Sequence, residues 1–205
     1  MTPNNVPALA VLALLLAATP LHADVQLDLQ TSVDADGAYR SVGTMTLPFP
    51  APAVAAKMVD FPGYDRWAPR GQDGRDPVSA AYIGQLTGVR AGEGFLDLIC
   101  RINLFWPLGS SGQVVALALS QPPGAAGTLQ RVRFTLKSPS LIVPVFDGDF
   151  ILTEPRPGES HIVLDCRMKL AWFLRPFFPL EAYRVHVVKR LETALRSFAA
   201  DLAPP

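Results

Sequence analysis

Cysteine and histidine are scarce in this chain, with two of the first and three of the second in 205 residues, and no group of them has the spacing that closes a metal site. Charge of either sign is not in excess: 18 lysines and arginines face 18 aspartates and glutamates, which removes the basic surplus that drives binding to nucleic acid. No glycine-rich turn lies between a strand and a helix, so no phosphate cradle, and with it no nucleotide cofactor, is expected. The segment from Gly109 to Gly112 lacks the pattern of a nucleophile elbow and reads as a hairpin turn. Long apolar runs are also missing. The longest, residues 6–18, is too short to span a bilayer and has the length of a secretory h-region. Cleavage after Ala23 is expected, leaving a signal peptide over 1–23 and a single domain over 24–205 that is periplasmic or secreted. No cysteine follows the run, so a lipoprotein anchor has no attachment point.

What the chain has in abundance is alternation. In the stretch beginning at Phe95, residues Leu96, Leu98, Cys100, Ile102, Leu104 and Trp106 share one face, while Asp97, Arg101 and Asn103 share the other. This describes a strand with one dry face and one wet face. The pattern recurs over 25–33 and 39–47, joined by a turn at Asp34–Gly37, and then over approximately 78–89, 94–105, 113–120, 128–138, 141–153 and 160–171. Pro52 opens a short helix through Val59, and an aromatic-bearing turn follows from Asp60 to Pro69. Short connections between the six later strands predict an antiparallel meander. Leu180, Tyr183, Val187, Leu191, Leu195, Phe198 and Leu202 recur at spacings of three and four, which predicts a long amphipathic helix over 179–202. A sheet with one apolar face has to be covered, and this helix is the only element long enough to do it. The fold class is α+β, an antiparallel sheet of seven to eight strands covered by a long C-terminal helix.

Three local features allow two readings each. Cys100 and Cys166 lie on the apolar register of strands far apart in sequence, either bonded after export or kept as buried thiols. Asp147 and Asp149 share a strand face as a catalytic carboxylate pair would, but Gly148 between them points to a bulge with solvated side chains. His186 either lines a cavity beside the apolar stripe or is a partly exposed helix histidine, and His161 is expected at the surface.

The stretch from Gly43 to Pro69 resembles the opening of the START-like superfamily, also called Bet v 1-like or the polyketide-cyclase-and-lipid-transport superfamily. There a strand passes through a Pro-containing start into a short helix, then an aspartate, a turn, and a tryptophan just before a proline; Asp60, Tyr64, Trp67 and Pro69 are the matching positions. The chain departs from that pattern in an additional first strand and in its secretion signal. The resemblance implies a helix-grip fold with a cavity between sheet and helix that takes sterols, other lipids, polyketides or quinones. It supports a binding role better than any named reaction.

On this reading the chain is an exported, monomeric carrier for a hydrophobic ligand such as a sterol, another polycyclic lipid or an acyl lipid. The expected lining is Met58, Tyr64 and Trp67 from the first helix and turn, Leu98, Cys100, Ile102, Leu117, Phe134 and Met168 from the sheet, and Tyr183 and Val187 from the helix. Tyr82, Tyr183 and Cys166 are the candidates to orient a ligand hydroxyl. Trp172, Phe173, Phe177 and Phe178, where the last strand hands over to the helix, either rest transiently at a membrane interface or seal the end of the core. Catalytic and metal-binding residues are not expected. The alternatives are a cyclase or dehydratase on the same scaffold, or an envelope interaction module whose interior is filled.

Overall fold

The computed structural model describes residues 26–75, 84–103, 110–120 and 128–202. The proposed signal segment and Tyr82 lie outside them. Strands β1 (Gln26–Val33) and β2 (Tyr39–Leu47) form the expected hairpin, with Gly37 at φ 75° closing its turn. Helix α1 (Ala51–Val59) and a 3-10 turn (Phe61–Arg66) follow. The meander comprises β3 (Gly84–Gly92), β4 (Phe95–Ile102), β5 (Ser110–Ser120), β6 (Thr128–Leu136), β7 (Val145–Arg156) and β8 (Glu159–Lys169). All eight strands join one antiparallel sheet in the order β1-β2-β8-β7-β6-β5-β4-β3. Helix α2 (180–202) closes the described chain and is the C-terminal element of a helix-grip α+β fold. Among the described residues no helix is long and apolar enough to cross a membrane.

Several strand boundaries differ from the sequence expectation, and two of them have a local cause. β7 begins at Val145 rather than at residue 141 because the Ser140 hydroxyl accepts the backbone N–H groups of Ile142 and Val143, at 3.2 and 2.9 Å, and turns the chain there. Ile142 and Val143 are nevertheless buried, since apolarity is a signal of burial and not of extension. The segment assigned to a hairpin turn at Gly109–Gly112 instead contributes its last three residues to β5. A register shift sets the single residue Arg101 of β4 opposite two residues of β5, Ser111 and Gly112, and the φ of 77° at Gly112 suits such a bulge.

Gly148 is not a bulge. It pairs regularly with Phe134 on β6 and Cys166 on β8. A Cβ there would sit 2.5 Å from Phe134 Cζ and closer still to the carbonyl oxygen of Asp165, so the glycine is the recess into which the Phe134 ring packs. Asp149 is not part of a carboxylate pair either. It accepts bonds from Arg131 at 2.8 and 2.6 Å and from Arg133 at 3.2 and 3.3 Å, and these guanidinium groups, Arg131 foremost, hold its carboxyl below the usual range. Gly148→Ala is expected to cost about 1–3 kcal/mol because neither backbone nor ring can retreat without disturbing the core. Urea denaturation measures this, and an unchanged midpoint would show that the ring gives way freely.

Candidate functional site

The even-numbered residues of β8 and β6 and the odd-numbered residues of β2 and β5 point to the concave face, following the two-residue period of a strand. Helix α2 does not lie flush against that face along its whole length. Its first turn is clamped down: Tyr183 is fully buried, stacks on Tyr39 with ring centroids 4.6 Å apart and planes within 7°, and shares a 2.7 Å hydrogen bond with Ser41. Its last turns are tied to α1 and the 3-10 turn by a Lys57–Asp201 ion pair and by Phe198 packing edge-on to Trp67. Between these two anchor points lies a cavity of about 280 Å³.

Ten of the thirteen residues expected around a ligand line this space. Met58, Tyr64 and Trp67 come from α1 and the turn after it, Leu98, Cys100 and Ile102 from β4, Leu117 from β5, Phe134 from β6, Met168 from β8 and Val187 from α2. Cys166 and Tyr183 do not. They belong to the clamp at the first turn of α2, where the Tyr183 hydroxyl is 3.9 Å from Cys166 Sγ and both side chains are enclosed by β2 and β8. Burial pushes the Cys166 thiol up to about 11 and raises the Tyr183 phenol as well, so both are neutral packing groups. Both cysteines are free thiols.

Sequence reasoning missed the polar lining: Gln72, Gln113 and Arg190. Gln72 and Arg190 clamp each other, Gln72 Nε2 donating to the Arg190 carbonyl at 2.8 Å and Arg190 Nε donating to Gln72 Oε1 at 2.7 Å. That exchange joins the middle of α2 to the segment after the 3-10 turn. Gln113 was legible in principle, since it shares the parity of Val115 and Leu117 and is therefore a polar residue on an apolar register. The Tyr64 hydroxyl is committed to the Met58 carbonyl at 2.8 Å, whereas the Trp67 Nε1 and Gln113 Oε1 atoms are buried without a partner.

A second cavity of about 430 Å³ adjoins the first and shares Ile102, Val143, Met168, Val187 and Arg190 with it. Phe177, Phe178 and His186 line its far end. The aromatic junction thus divides. Trp172 is 80% exposed and Phe177 74%, Phe173 is half-buried, and Phe178 is buried between Tyr39 and His186. Leu141, 89% exposed, precedes Ile142, whose carbonyl accepts the N–H of Ala171, the residue before Trp172, at 3.0 Å. His161 is half-buried and lies 3.3 Å from Glu159 instead of standing free in solvent.

His186 lines the second cavity with its Nδ1 buried and unpartnered, and burial together with the Arg190 charge lowers its pKa. A depressed histidine favours the folded state while neutral. Once the pH falls below the ordinary value near 6.5, the unfolded chain takes up a proton that the folded one resists, and this contribution is lost. Stability is therefore expected to fall between about pH 7.5 and 5.5 more steeply for the native protein than for His186→Gln, as read by urea denaturation at both pH values. Equal slopes would remove His186 from the account.

Neither a protein-family model nor a curated protein matches the chain. Solved structures do. An aromatase/cyclase from a Streptomyces species is similar at 12% identity and a TM-score of 0.51, covering 80% of this chain and 93% of its own. A conserved protein from Geobacillus kaustophilus is similar at 8% identity and a TM-score of 0.52, covering 80% and 94%. A protein from Thermus thermophilus is similar at 11% identity and a TM-score of 0.51, covering 80% and 96%. Identities this low speak to the fold alone. With the eight-stranded sheet and the C-terminal helix, they bear out the helix-grip α+β fold that the resemblance over residues 43–69 implied.

Proposed function

We propose that this chain is a binding and transfer protein for a hydrophobic ligand, a sterol, another polycyclic lipid or an acyl lipid, acting as an exported monomer. The observation that carries the reading is the apolar cavity held open between the two anchor points of α2. Its walls are mainly leucine, valine, isoleucine, methionine and phenylalanine side chains, and a guest that loses about 300 Å² of apolar surface to them gains about 7.5 kcal/mol at 25 cal/mol per Å² before the costs of association. Open volume also argues against a filled-core interaction module. The exposed Trp172, Phe177 and Leu141, near the second cavity, are the side chains offered to a membrane during transfer.

A cyclase-type enzyme is the second reading. It is favoured by His186 and Arg190 facing one cavity, a neutral imidazole beside a fixed cation, and by the likeness to an aromatase/cyclase. The deciding experiment is organic extraction and mass analysis of protein purified from its own host after fractionation into cytoplasm and envelope. A lipid recovered at one equivalent from the exported fraction supports the carrier. An empty protein that converts a poly-β-ketone analogue overturns it in favour of the enzyme.

A further inference from the structure

The walls of the main cavity hold few polar groups, and their hydrogen bonds separate them into spent and unspent. Tyr64 is spent on Met58, and Gln72 is spent at both ends on Arg190. Gln113 makes no side-chain hydrogen bond among the described residues, and its Oε1 is sealed from water as well. A buried amide oxygen without a donor loses free energy that any donor arriving beside it would restore.

Position gives that amide its meaning. Gln113 stands opposite Cys100 across the β4–β5 ladder, and Arg190 of α2, whose charge acts on the Cys100 thiol, lines the same cavity. A half-turn about the last side-chain bond exchanges Oε1 and Nε2, so the amide can accept from a hydroxyl or donate to a carbonyl without moving its stem. The residues on the same register in β5, Val115 and Leu117, are apolar, so Gln113 is a polar point on an oily strand; the other unspent group of the lining, Trp67 Nε1–H, is a donor only and cannot receive a hydroxyl proton.

We propose that Gln113 recognises one oxygen function, a hydroxyl or a carbonyl, on an otherwise apolar polycyclic ligand, and that this end of the ligand lies toward Arg190. The inference rests on the cavity being a ligand site, and it adds orientation and a ligand class to that reading. Hydrocarbon guests leave the amide unpaired. Oxygenated ones satisfy it.

The test compares pyrene with 1-hydroxypyrene, two fluorescent probes of nearly equal shape, by titration of the full chain. Transfer from water alone favours pyrene, so a preference for 1-hydroxypyrene has to come from a polar contact. The native protein is expected to bind 1-hydroxypyrene about tenfold more tightly. In Gln113→Leu, or Gln113→Met should the first fail to fold, the ratio is expected to collapse toward one. Equal binding of the two probes by the native protein, or a preference that survives both substitutions, overturns the role of Gln113 while leaving the cavity as a ligand site. Failure of either probe to bind overturns the ligand site and this inference together.

Discussion

Ala194→Phe is expected to exclude ligand while leaving the protein at least as stable as the native form. Ala194 lies on the stretch of α2 between Leu191 and Leu195 and lines the main cavity, so a phenyl ring placed there projects into open volume rather than into packed side chains. Filling space that native contacts leave empty adds dispersion and apolar burial, the converse of a core truncation. For the guest the same ring is an obstruction. Losing about 100 Å² of buried apolar area removes about 2.5 kcal/mol at 25 cal/mol per Å², a drop of about 70-fold in affinity. Pyrene titration and thermal melting of the same sample read both quantities. Undiminished binding would place the guest elsewhere, and a large loss of stability would show that the space does not exist in solution.

Tyr183→Ala is expected to have the opposite profile. The ring is fully buried, stacked on Tyr39 and bonded to Ser41, so truncation leaves a hole and an orphaned hydroxyl where α2 meets β2 and β8. Large aromatic truncations of this kind cost about 3–5 kcal/mol. In a chain of this size that lowers the melting temperature by about 10 °C. Tyr183→Phe, which keeps the stack and removes only the hydroxyl, is expected to cost about 1 kcal/mol. Calorimetry of the pair separates packing from hydrogen bonding, and a loss under about 1 kcal/mol for the alanine variant would contradict the clamp.

These two positions also show what the sequence does and does not reveal. Strand alternation placed Leu98, Ile102, Leu117 and Phe134 on the inner face correctly because a two-residue period reports direction. Helical spacing put Tyr183 on the same stripe as Val187 and Leu191, but periodicity carries no depth, and only the assembled fold distinguishes a side chain that touches β2 from one that faces a void. Gly148 looked like a bend because its partner, the Phe134 ring, arrives from another strand. Ile142 and Val143 looked like strand because apolar residues in a buried turn and in a strand are written alike. The reciprocal bonds of Gln72 and Arg190 join positions far apart in sequence and had no local signature.

One turn of α2 has a wider bearing. Residues Arg184–Val188 form a π segment between α-helical stretches, which places one residue more in that turn than an α-helix holds. The wide winding absorbs that residue and so holds the rotational phase of everything downstream. Winding all five of those residues as regular α-helix would swing the Lys189–Leu202 stretch about its axis by roughly 100°, the angular step of one α-helical residue, whereas deleting one of them would let the turn close as α-helix with the facing of that stretch kept. In the first case Arg190, Ala194 and Phe198 would face away from the sheet, so the wide winding of this one turn governs whether the lower half of the helix looks inward at all.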